Sequence, residues 1–137
     1  MPLAANAMIP DSPTYAPHPK HRNASPGESQ WTISPEEEHT SFEAAWNFHW
    51  CEDGKGWGLH CVDGEAKYLG VIEDHETRTF VAKFVSDASQ QNWHGYPADQ
   101  RKRQDRPAWP LLRRWIYDKV LPDPKIRKIG RGQRCIL

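Results

Sequence analysis

The chain has 137 residues with 18 Lys+Arg against 18 Asp+Glu and seven tryptophans, which leaves room for one domain with a modest core. No apolar run is long enough to span a bilayer, and "MPLAANAMIP" lacks the basic start and apolar stretch of a signal peptide. The neutral total hides a split: residues 1–100 carry 6 Lys+Arg against 15 Asp+Glu, a net of −9, and residues 101–137 carry 12 against 3, a net of +9.

Residues 1–30 are rich in proline and hold few large apolar side chains beyond Met8, Ile9 and Tyr15. Such a segment buries too little to offset its ordering entropy, so it reads as an arm that is flexible or ordered by a partner. Residues 31–137 read as one α+β domain. In "WTISPEEEHTSFEAAW", Ser34 stands as N-cap, Pro35 at the first helical position and three glutamates follow, which predicts one or two helical turns.

From Ala45 the period switches to two, with Trp46, Phe48 and Trp50 alternating with polar residues, and predicts a strand. Asp53-Gly54 suits a two-residue turn, because both central positions of that turn need positive φ. Trp50 then faces Trp57, Phe48 faces Leu59 and Trp46 faces Cys61. A second Asp-Gly at residues 63–64 leads into "EAKYLGVI", and "TRTFVAKFV" supplies a fourth strand. The simplest connection is a small twisted antiparallel meander of about four strands over residues 45–86. Tyr68, Ile72, Val81 and Val85 join the tryptophan face, with Leu69, Val71, Phe80, Ala82 and Phe84 opposite. Either both faces are covered or one turn is shifted by a residue.

Residues 87–106 read as a loop punctuated by Gly95 and Pro97. A basic helical unit follows over 107–134. Leu111, Leu112, Trp115, Ile116 and Val120 recur at helical spacing, and a second short helix starts at Asp123-Pro124, buries Ile126 and Ile129 and stops at Gly130.

Three constellations could carry chemistry. The stretch "HWCEDGKGWGLHC" holds two histidines and two cysteines, but alternation sets Cys61 apart and leaves His49, Cys51 and His60 on one polar face, one ligand short of a closed zinc site. No zinc or other cofactor is expected. In "NWHGYPAD", His94, Tyr96 and Asp99 sit next to a run of cations and hold the parts of an acid–base phosphodiester site, although a structural turn explains the same residues. The basic positions are Arg101, Lys102, Arg103, Arg106, Arg113, Arg114, Lys125, Arg127, Lys128, Arg131 and Arg134. They suit phosphate backbones or acidic protein surfaces, unless they pack against Glu36, Glu37 and Glu38 of the same chain.

Three cysteines without an export signal point to reduced thiols in a cytoplasm. The expectation is therefore a small cytoplasmic binding protein whose basic end meets nucleic acid or an acidic protein, a reading that leans away from an enzyme and leaves catalysis open. No membrane and no small-molecule substrate is indicated, and the oligomeric state is open. One alternative is an inhibitor, immunity, antitoxin-type or phage accessory protein that binds a protein partner through its arm. Another is a small nuclease built on residues 92–106.

Overall fold

The computed structural model describes residues 13–137. Its elements are β1 (Thr14–Tyr15), a 3-10 turn (Pro19–His21), β2 (Gln30–Trp31), α1 (Pro35–Asn47), β3 (Cys51–Glu52), β4 (Lys55–Val62), β5 (Glu65–Lys67), β6 (Gly70–Val71), β7 (Arg78–Thr79), β8 (Val81–Ser86), β9 (Asn92–Pro97), a second 3-10 turn (Arg103–Asp105), α2 (Trp109–Asp118) and α3 (Asp123–Gly130). The class is α+β, with mostly antiparallel sheets and a helical pair at the C-terminal end.

The glutamate-rich start of α1 forms a capping box. Ser34 Oγ accepts from the Glu37 amide at 3.1 Å, and Glu37 Oε1 accepts from the Ser34 amide at 2.9 Å. The helix runs 13 residues and takes in Trp46, which alternation assigns to a strand. Glu38, Ser41, Phe42 and Ala45 explain the difference, since they recur at three and four residues and all are buried. Trp46 falls four residues after Phe42 and continues that stripe. His49, at φ 62, closes the helix, and the Trp50 amide returns to the Ala45 carbonyl at 2.8 Å. Phe48 is left 57% exposed on this turn, stacked on Trp50.

Both Asp-Gly turns form with positive φ at each central residue, 54 and 78 at Asp53-Gly54 and 53 and 80 at Asp63-Gly64. Cys51 pairs with Gly56 and Val62 with Glu65, which is the expected hairpin register. The strand order is less local. β4 pairs directly with β8, which pairs with β9, and β1 joins β9 in parallel. The expected third strand splits instead: its first part stays on β4 as β5, and its second enters a separate sheet of order β2-β6-β7.

Both faces of the main sheet are covered. On one, α1 lies directly on β4: a methyl group at Gly58 would come within 3.2 Å of Ala45 Cβ, so only glycine lets the helix seat this closely. Phe84 fills this layer with Phe42 edge-on at 5.3 Å, and Tyr15 stacks on Phe42 at 4.8 Å. On the other face, Trp57, Lys83 and Tyr96 align across three strands beneath the segment around the second 3-10 turn.

Residues 1–12 of the expected arm lie outside the described residues, but the remainder is packed into the domain. Thr14 and Tyr15 add the parallel strand, His21 is buried, and Arg22 pairs with Glu38 inside the protein. Composition misjudges this stretch because hydrogen bonds, the Arg22–Glu38 ion pair and the single ring of Tyr15 against Phe42 hold it, with little other apolar area.

Candidate functional site

A polar cleft of about 280 Å³ opens where the first 3-10 turn and its following loop cross the C-terminal half of β9. His94 and Tyr96, two residues apart on one strand, point to the same side and line it. Sequence reasoning missed the facing residues, Lys20, His21 and Glu28, because they belong to the supposed arm. The signal was present in "HPKH", two histidines three residues apart.

His21 stacks on the Tyr96 ring at a centroid distance of 5.2 Å. Its Nδ1 lies 2.8 Å from the Ser29 carbonyl oxygen, an acceptor only, so Nδ1 carries the proton and donates it. The neutral ring then has its lone pair on Nε2, which lies 4.0 Å from Glu28 Oε1. His18 sits between the two cleft histidines, 6.1 Å from His21 and 5.6 Å from His94 between ring centroids. Burial pulls the pKa of both His21 and His94 below the ordinary value of 6.5. At His94 the neighbouring His18, His21 and Lys20 add to this, and at His21 Lys20 and His18 add to it against the Ser29 hydrogen bond and Glu28, which act the other way.

Tyr96 donates to Asp105 Oδ1 at 2.7 Å, and burial followed by the Asp105 carboxylate raises its pKa. Asp105 also accepts from the Asp99 amide at 3.2 Å and, through its carbonyl, from Trp57 Nε1 at 2.9 Å. Asp99, expected near the histidines, instead takes both arms of Arg101, at 2.9 and 3.0 Å. The carboxylate that meets Tyr96 is therefore Asp105. It lies nine residues beyond Tyr96, outside any local motif.

The cleft cations are matched by acids at its rim: Lys20 lies 3.5 Å from Glu28, and Lys102 pairs with Glu73. Lys83 donates to the Gln104 carbonyl beneath the floor, where burial lowers its pKa.

The expected basic residues divide by what they touch. Arg106 is half-buried and donates to the carbonyls of Gln100 and Arg101 at 3.0 and 3.1 Å, so it holds the loop together. Lys125 caps the chain end through the Ile136 carbonyl. Arg114 lies 3.9 Å from Asp118, and Arg127 2.9 Å from Asp123. Arg103, Arg113, Lys128, Arg131 and Arg134 are exposed and stand in no ion pair among the described residues. Nor does the basic end meet the acidic run: Glu38 is paired with Arg22, and Glu37 faces His60.

The three residues read as a conceivable metal set do not converge. His49 is exposed on the turn after α1, Cys51 packs its sulfur over Gly56, and His60 Nε2 points to Glu37 at 3.6 Å. Cys61, expected among tryptophans, is exposed opposite Ala66, because the strand that was to carry Trp46 is helical. Among the described residues, no group of three His, Cys, Asp or Glu side chains is placed to hold a metal ion, and no helix is long and apolar enough to cross a membrane. No protein-family model, curated protein or solved structure matches the chain.

Proposed function

We propose that the protein is a binding module that grips the phosphate backbone of a nucleic acid with its C-terminal basic helical pair. The observation that carries this reading is the outer face of α3. There Arg127, Lys128 and Arg131 line one shallow groove of about 300 Å³, with Asp123 the single acid in it. Ile126 and Ile129 are fully buried on the opposite side, so the cations are held outward by the core.

Trp109, 40% exposed, packs over Gly130 at the end of the same helix and offers a ring on which a base can stack. The helix presents no Asn or Gln, the side chains that read adenine edges, so the contact is to phosphates and is largely indifferent to sequence.

Fluorescence anisotropy of the full chain with labelled oligonucleotides tests this. Binding should weaken with a slope of log K on log salt of about −2 to −3, matching two or three neutralised phosphates. Replacing Arg127, Lys128 and Arg131 together by glutamine should abolish it. Salt-insensitive binding, or binding unchanged in the triple variant, would remove this reading in favour of a protein partner. The rival use of the N-terminal segment as a partner-binding arm has less to draw on, since residues 13–30 spend their contacts within the chain.

A further inference from the structure

We propose that His21 and His94 form a general acid–base pair that cleaves RNA phosphodiesters in the cleft between the first 3-10 turn and β9. The substrate class rests on the nucleic-acid reading above; the proton-transfer pair rests on geometry of its own. His21 has the arrangement expected of a base: a buried ring, one nitrogen fixed as donor by the Ser29 carbonyl at 2.8 Å, and the other left as acceptor. The Tyr96 ring at 5.2 Å holds its plane. His94, on the strand that bears Tyr96, lines the same cavity.

A structural role explains this arrangement less fully. A histidine needed only to plug the core would satisfy both nitrogens or present carbon, whereas His21 lines the polar cleft with its second nitrogen no closer than 4.0 Å to the Glu28 carboxylate. The rim also suits an anion. Lys20 and Lys102 are about half exposed, with side chains 46% and 44% accessible, so both are free to swing from Glu28 and Glu73 onto a phosphate.

The chemistry balances without another reactant. One neutral histidine takes the proton of the ribose 2′-hydroxyl, whose oxygen attacks phosphorus. The P–O5′ bond breaks, and the other histidine, protonated, gives its proton to the departing 5′-oxygen. The products are a 2′,3′-cyclic phosphate and a 5′-hydroxyl, and the two histidines exchange protonation states. The attacking group is already in the substrate, so proximity supplies part of the acceleration.

The groups facing the pair are His18, Lys20, Glu28, Glu73, Lys102 and Asp105. Asp105 is occupied by the Tyr96 hydroxyl and the Asp99 amide. Burial depresses both imidazoles, so a bell-shaped rate profile should peak below pH 6.5.

The test is cleavage of the dinucleotide uridylyl-3′,5′-adenosine by the full chain, followed by chromatography for the cyclic phosphate. A dinucleotide is too short to need the helical pair, so this outcome stands apart from the oligonucleotide anisotropy. His94→Gln and His21→Gln should each lower the rate at least about 100-fold, and each should move or remove one limb of the profile. If His21→Gln does not fold, His94→Gln decides alone. Absence of cleavage by the parent between pH 5 and 7, or a rate unchanged in His94→Gln, overturns the proposal.

Discussion

Arg22 holds the fully buried carboxylate of Glu38 through two nitrogens, with Nε 3.1 Å and Nη2 2.6 Å from the same Oε1. Its Nη1 reaches the Ile33 carbonyl at 2.6 Å, and Tyr15 donates to the other carboxylate oxygen. One glutamate on α1 thus fastens the segment that carries His18, Lys20 and His21. Arg22→Ala would strand that carboxylate without a cation and should cost about 3 kcal/mol, at the low end for a buried pair because Arg22 keeps 22% side-chain exposure. Denaturant unfolding measures it, and a loss under about 1 kcal/mol would mean that water replaces the guanidinium.

Gly95 stands where β9 passes over Phe84. A methyl group there would sit 2.8 Å from Phe84 Cε1 and 2.9 Å from the Lys83 carbonyl oxygen. Gly95→Ala should therefore destabilise the fold by about 1–3 kcal/mol through overpacking. The same substitution at Gly27, which meets nothing nearby but has φ 76, should cost less and only through backbone strain. Thermal unfolding of the two variants side by side distinguishes crowding from strain.

Two exposed aspartates stay ionised far into acid. Asp74 accepts from the Thr77 hydroxyl and from the Thr77 and Glu76 amides, and Asp87 accepts from Asn92, Ser89 and neighbouring amides. These bonds favour the anion and hold both groups at about 2, against an ordinary 3.8. A depressed acid stabilises the fold above its unfolded value and loses that contribution as pH falls through the folded one, so both turns should loosen between pH 3.8 and about 2. Carbon-13 titration of the two carboxyls checks this. Midpoints near 3.8 would mean that the turns do not persist in solution.

The three thiols should separate by reactivity. Burial alone pushes Cys51 up to about 12, so its thiolate is scarce at pH 8, while Cys61 is exposed at the end of β4. Timed alkylation read by mass spectrometry should modify Cys61 first and leave Cys51 and the buried Cys135 until the protein is denatured. Equal rates at Cys51 and Cys61 would contradict the packing of the first hairpin.

Local chemistry was legible wherever the chain signals by short-range rules. Ser34 with Glu37, the two Asp-Gly turns with their registers, and the apolar spacing of Leu112, Trp115, Ile126 and Ile129 all lead to the observed elements. The stretch 45–50 misleads because Trp46 satisfies a period of two with Trp50 and a helical step from Phe42 at once. Only packing against β4 decides between them. The pairing of β4 with β8 skips three intervening strands, so no adjacent pattern announces it.

The cleft was half legible. His94 and Tyr96 stand out beside glycine and proline, but their partners come from 73 residues earlier in the case of His21 and from a different turn in the case of Asp105. Asp99 was the natural choice by proximity, yet an adjacent arginine claimed it.

The main sheet ends on β1 at one side and on β3 at the other, each two residues long. A long bare edge is a template on which another copy can add its own strand, and such growth leads from soluble sheets to aggregates and fibres. Among the described residues β1 covers Asn92 and Trp93 of β9, while β3 and β5 cover β4 at Lys55–Gly56 and His60–Val62. Neither long border strand is left bare along its whole length, which shortens the row on which a second copy could build.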